Sequence, residues 1–236
     1  MRGRYVTLEP LDADRHTGSI WEAVRGHDEL WKWLSDGPCE SEAALYGALA
    51  DKQTSTSAVF LAIVPEGPQP PSAPGYPAAA GYASYMRIEP AHGVVEVGNI
   101  LLSPRLQRTR AASEAMYLMA RHVFDDLGYR RYEWKCNARN LPSRRAALRL
   151  GFSFEGIFRQ HMVVKDRNRD TAWFAMLDHE WPARKHAFEQ WLDESNFDSQ
   201  GRQRTRLGAG LLAEQDHARA KYLPEAEPFK QVRNQS

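Results

Sequence analysis

The sequence predicts an α/β protein: a mixed, mostly antiparallel central sheet of about six or seven strands with helices on both faces. Three observations predict it. Residues 58–64 (AVFLAIV), 81–88 (GYASYMRI) and 94–102 (VVEVGNILL) are apolar or alternating runs parted by turn residues, as in an antiparallel meander. Residues 113–127 then place Met116, Met119, Ala120, Val123, Phe124 and Leu127 at helical spacing ahead of Gly128. A new alternating run, YRRYEWKC, occupies 129–136. Strand, full helix and strand in succession form a βαβ unit, so 94–102 and 129–136 are expected to lie parallel.

The remaining elements follow in order. Arg4 to Leu8 alternates and opens the sheet, and Pro10 ends it. Asp12 to Val24 reads as a helix packing Ile20, Trp21, Ala23 and Val24. His27 to Leu34 carries Leu30, Trp31, Trp33 and Leu34, too apolar for a solvated loop; it is expected to be helical, covering a sheet edge or walling a pocket. Ser41 is placed to cap a helix that runs to Asp51. Six prolines between Pro65 and Pro77 make 65–80 an exposed, extended loop insertion. Leu141-Pro142 opens a short helix that Gly151 closes. Ser153 to Val164 and Thr171 to Leu177 are strands joined by the polar turn KDRNRD, and Trp181 to Leu192 is a last helix. Residues 1–200 are therefore read as one domain, and 201–236 as a polar tail with a possible helix over 211–222.

Composition excludes several classes. The 236 residues carry 31 Lys and Arg against 30 Asp and Glu, a balance that argues against a dedicated nucleic-acid binder. Two cysteines, Cys39 and Cys136, are too few for a disulfide scaffold or zinc cluster, and the eight histidines show no ligand spacing, so no metal is expected. No apolar run nears the ~18 residues of a membrane span. A cytoplasmic protein, monomeric or homodimeric, without nucleic-acid or membrane partner is expected.

Chemistry concentrates between Val94 and Ser113. The turn LQRTRAAS joins a strand to a helix with small residues and the cations Arg105, Arg108 and Arg110. Free amides at a helix start and the positive end of its dipole favour an anion there. Upstream, Glu96 is a lone acid in an apolar strand. It is either a base whose pKa burial raises or one half of a cross-strand ion pair.

Three motifs in order identify a resemblance to the GNAT superfamily of acyl-CoA N-acyltransferases, and within it to the RimJ/RimL-type branch. They are Gln107–Ala112 (QRTRAA) against Q/R-x-x-G-x-G/A; Asn140-Leu-Pro-Ser143 followed by Leu150-Gly151-Phe152; and Glu155-Gly156-Ile-Phe-Arg159. The resemblance covers roughly residues 4–195 and implies a GNAT fold with a V-shaped splay between the fourth and fifth strands.

It also implies acetyl-CoA as cofactor, released as CoA, and direct acetyl transfer to a primary amine: a small-molecule or amino-acid-type amine, or a protein N-terminus. Gln107, Arg108, Thr109, Arg110, Ala111, Ala112 and Ser113 would hold the pyrophosphate. Arg110 stands where the family has its first glycine and is expected to reach phosphate with its own charge. The backbone of Ile100, Leu101, Leu102 and Ser103 would line the pantetheine, and Asn140 would bond its amide. Glu96 is the candidate base, directly or through water. Ser143 is either the proton donor to the leaving thiolate or an inert first-turn residue. Ala147 rules out a tyrosine acid one helical turn later, and His161 stands where some relatives carry a second acid. Trp31, Trp33, Tyr85 and His161 are expected at the acceptor, while Glu155 and Arg159 are expected to pair with each other. Arg110 for glycine also leaves open a CoA-binding or protein-interaction module that has lost catalysis.

Overall fold

The computed structural model describes residues 1–66 and 78–208. Seven strands form one sheet: β1 Val6–Pro10, β2 Ala58–Pro65, β3 Gly81–Glu89, β4 Val94–Leu102, β5 Arg131–Asn137, β6 Ser153–Val164 and β7 Arg167–Leu177, in spatial order β1-β2-β3-β4-β5-β7-β6. The helices are α1 Ala13–Val24, α2 Glu42–Gln53, α3 Arg110–Arg121, α4 Leu141–Arg149 and α5 Trp181–Leu192. All neighbouring strands are antiparallel except β4 and β5, the parallel pair of the βαβ unit.

Local chemistry sets most helix ends. Asp12, Ser41, Thr109 and Asn140 each accept an amide hydrogen from the first turn that follows. Gly151 closes the α4 turn with φ +92. In α3 every residue from Ala111 to Ala120 is buried, the pattern of a helix enclosed on all sides. Tyr117 stacks on Trp181, and Val97, Met116, Ala120, Tyr132, Trp134, Phe152 and Phe188 pack together beneath it. Each buried Val or Phe side chain there contributes about 1.5–3 kcal/mol. Helices cover both faces. Lys52 of α2 lies over Phe60 and Tyr82 on one face, while the Tyr85 hydroxyl reaches α3 on the other.

Several boundaries depart from expectation. β1 starts at Val6 rather than Arg4, because the amides of Arg4 and Tyr5 donate to the buried Glu114 carboxylate at 2.9 and 2.6 Å. His27–Leu34 is not a helix. One 3-10 turn, Asp28–Trp31, suffices to bury Trp31, and the chain then bends under Gly37, where a Cβ would overlap the indole. KDRNRD is only in part a turn. Lys165 and Asp166 take the left-handed conformation (φ 50 and 57), a two-residue hairpin turn, so β7 begins at Arg167. The proline-rich stretch over 67–77 and the possible tail helix over 211–222 lie outside the described residues.

Candidate active site

β4 and β5 pair only from Val94–Arg131 to Val97–Trp134, although β4 continues to Leu102 and β5 to Asn137. Beyond Trp134, β5 pairs with β7 alone. The two parallel strands therefore part, leaving a gap whose wall is the edge of Gly98–Leu102. Gly98 sits at the parting point, where a Cβ would lie 2.5 Å from Met86 Sδ, and Asn99 takes φ +49 within an irregular stretch of the β3–β4 ladder. Irregularities of this kind re-aim backbone groups beside sites.

The gap ends at the start of α3. Thr109 Oγ1 takes the amide of Ala112, and Ser113 N reaches Thr109 O. Among the described residues the amides of Arg110 and Ala111 find no acceptor at this positive helix end, where an anion is favoured. Gln107 Nε2 donates to Leu102 O at 3.0 Å and braces the turn, and Arg108 holds it open with φ +63. Leu101 is buried, Ile100 and Leu102 half-buried, and Ser103 is fully buried with its hydroxyl unpartnered. Arg110 departs from expectation: its guanidinium lies 4.7 Å from the Tyr5 ring and 4.4 Å from the Phe197 ring, and donates to Tyr5 Oη. These two rings, one from each end of the chain, draw the side chain into a cation–π sandwich.

Asn140 Oδ1 accepts from Ser143 N at 3.2 Å, which leaves the Asn140 amide nitrogen as donor. The Ser143 hydroxyl accepts from Trp134 Nε1 at 3.0 Å, which leaves its own proton as a donor, and the Cys136 thiol lies within its reach.

Glu96 is buried but not alone. It pairs in register with Glu133, and Lys135, nearly buried as well, reaches both carboxylates at 2.9 and 2.6 Å. Arg87 Nε stands 3.5 Å from Glu96, while Arg131 binds Glu133 at 2.7 Å. The two acids are driven apart. Burial pushes the Glu96 carboxyl above the usual glutamate range, more than Lys135 and Arg87 pull it down. Burial also acts on Glu133, but hydrogen bonds from Lys135 and Arg131 outweigh it and hold that carboxyl low. A raised acid beside a depressed one is an arrangement that separates a proton carrier from a fixed charge.

Strand alternation puts Trp173, paired with Lys135, and Thr171 and Arg169 on this same face. Lys135 Nζ lies 3.7 Å from the centre of the Trp173 ring. His161 is exposed, 3.0 Å from Thr171 Oγ1 and 6.0 Å from the Trp173 ring, so it joins this wall. At the hairpin tip Lys165 donates to the carbonyls of Trp31, Asp36 and Gly37 at 3.0, 2.9 and 2.8 Å, tying β6–β7 to the segment after Trp31.

Three expected side chains do other work. Trp31 is core, 3 % exposed, so its ring lines no pocket. Tyr85 points away from Glu96 and donates to Met119 O at 2.8 Å, buried against α3. Glu155 binds Arg131 through two contacts of 2.9 and 2.5 Å instead of Arg159, because residues four apart on a strand stand about 13 Å apart. Trp33 is half-buried beneath Lys32. Lys135, Glu133, Trp173 and Arg169 were not anticipated. Their alternation is visible in YRRYEWKC and RDTAW, but only the register with Glu96 identifies the face that matters.

A seven-stranded mixed sheet with one parallel pair parted beside a helix start defines a class of fold, and comparison with known proteins assigns it. The chain belongs to the acetyltransferase (GNAT) domain family, which matches residues 6–153. A GCN5-related N-acetyltransferase from Brucella melitensis is 48% identical, with a TM-score of 0.81 over 87% of this chain and 90% of that one. The ribosomal-protein-serine acetyltransferase of Escherichia coli (strain K12) is 31% identical over 97 residues, 41% of this chain and 54% of that protein. The chain thus spans about half the length of that curated relative. The spermidine N-acetyltransferase from Vibrio cholerae, solved in complex with CoA and spermine, shares the fold at 15% identity, with a TM-score of 0.57 over 75% of this chain and 98% of that one. Among the described residues no cluster of His, Cys, Asp and Glu could hold a metal ion, and no helix is long and apolar enough to cross a membrane.

Proposed function

We infer that this protein transfers an acetyl group from acetyl-CoA directly to a primary amine. The parting of β4 from β5 beyond Val97 carries the reading, because it leaves an open strand edge beside a raised glutamate. The residues present suit the cofactor: the edge of Gly98–Leu102 for the pantetheine amides, the Asn140 amide nitrogen for one of them, and the amides of Arg110 and Ala111, which have no acceptor among the described residues, for the pyrophosphate.

Bound acetyl-CoA supplies a thioester-activated acetyl group, whose C–S bond is replaced by a bond to the amine nitrogen. Glu96 takes up the proton the amine loses, directly or through a water, because burial has raised its affinity for one. Lys135 keeps that carboxylate in place. The Ser143 hydroxyl, oriented by Trp134 Nε1, donates a hydrogen bond toward the departing sulfur, which leaves as the thiolate. Protein N-termini and small amines both fall within this reading, since the relatives' names cover a ribosomal protein and a polyamine.

The test is release of free CoA thiol with a panel of amines, comparing the native enzyme with Glu96→Gln. Turnover that falls by about 10²–10⁴ in the variant is expected of a lost general base. CoA binding without turnover on any amine would replace this reading with that of a binding module.

A further inference from the structure

We propose that the acceptor amine carries a carboxylate and that Arg169 binds it. The proposal rests on the acetyl-transfer reading above and names the acceptor's class.

The face that holds Glu96 carries more cations than its carboxylates pair. Lys135 is held by Glu96 and Glu133, Arg131 by Glu133 and Glu155, and Arg87 lies against Glu96. Arg169 lies on this face too, half-buried where Arg167 on the same face is exposed, and among the described residues no carboxylate pairs with it. It is half-buried, so water compensates its charge poorly. Its Nε donates to the fully buried Thr171 Oγ1 at 3.2 Å, which anchors the guanidinium through one corner and leaves both terminal nitrogens to act as a fork. A planar carboxylate is the anion that matches such a fork with two parallel hydrogen bonds.

The surroundings agree. Trp173, four residues from Arg169 on the same face, has a buried indole N–H with no acceptor among the described residues. Phe158, 52% exposed and 4.6 Å from the Trp173 ring, offers an apolar wall beside it. Strand pairing puts Glu96 and Arg169 on one face of the sheet, the face on which the amine end and the carboxylate end of the acceptor would lie. The carboxylate can come from a free amino acid or from an acidic side chain near a peptide's N-terminus. The chemistry at Arg169 is the same.

The experiment measures CoA release for matched acceptors: amino acids with one, two or three carbons between amine and carboxylate, their amides, aminoethylphosphonate, and amidated peptides with Asp, Glu or Gln in second place. In parallel, calorimetry measures binding of the same amines to the enzyme–CoA complex, which needs no turnover. Acids are expected to exceed their amides at least tenfold in kcat/KM and in affinity. In Arg169→Gln that ratio should fall to near one, and Arg169→Lys, which keeps the charge but not the fork, should retain part of it. Free acids or acidic peptides leading the panel would each support the proposal and identify the carboxylate's source. Amides or polyamines used as well as acids, with the ratio unmoved in Arg169→Gln, would overturn it and leave acetyl transfer standing. Preference for the phosphonate would overturn the carboxylate. Absence of turnover together with acid-selective binding lost in Arg169→Gln would sink only the acetyl-transfer reading.

Discussion

Lys135 Nζ and Glu96 Oε2 meet at 2.9 Å across the parallel strands, both side chains all but buried, at the last rungs before those strands part. The pair explains how an acid can sit ionised in an apolar sheet and still be ready for a proton. Burial dominates and raises the Glu96 carboxyl, and the lysine restrains the rise.

Because Glu96 is raised in the folded state, its protonated form is the one folding favours. The stability it contributes is full below the unfolded glutamate pKa and is lost as pH rises through the folded value. Glu96→Gln is therefore expected to raise Tm at pH 7.5, with a gain that shrinks toward pH 4, while turnover collapses. Thermal unfolding across that range checks it. A lower Tm at every pH would mean that the lysine contact outweighs burial.

Removing the restraint has a kinetic signature. Lys135→Met takes away the neighbour that lowers the Glu96 pKa, so the acid limb of kcat/KM should move to higher pH. The variant should also be about 3–5 kcal/mol less stable, since two buried carboxylates lose their shared cation. A pH–rate profile with an unmoved limb would mean that Glu96 is not the group titrating.

Ser143→Ala removes both a hydroxyl proton and the acceptor of Trp134 Nε1. We expect kcat to fall at least tenfold with the acetyl-CoA KM within threefold, and a stability loss of about 1–3 kcal/mol from the stranded indole N–H. Stability lost with kcat intact would make Ser143 a support for Trp134 alone.

Arg110→Met tests where the phosphate grip resides. Its guanidinium is held between Tyr5 and Phe197, so the variant should lose about 1–2 kcal/mol of stability, while the acetyl-CoA KM changes less than threefold. A tenfold rise in KM would return the side chain to the phosphate.

Features governed by near neighbours were legible in the sequence. Ser41 caps the helix its type and place suggested, Gly128 and Gly151 mark helix ends, and the βαβ rule alone makes β4 and β5 parallel. The upward push on Glu96 follows from an acid in an apolar strand, whatever the neighbours. What depends on register was not legible. Glu133 and Lys135 lie nearly forty residues downstream of Glu96, and only strand pairing turns a lone acid into a three-member charge cluster. Arg110 reads as a phosphate ligand until Tyr5 and Phe197, from opposite ends of the chain, are brought to it. Tyr85 and Trp31 read as pocket walls by their chemistry, but packing against α3 and beneath Gly37 makes them core.

Amide hydrogen exchange with and without CoA tests the central claim, that the gap between β4 and β5 is the cofactor site. Amides within 98–102 and those of residues 110 and 111 should exchange at least tenfold more slowly when CoA is bound, with little change in β1 and β2. CoA binding that leaves those amides unprotected would contradict it.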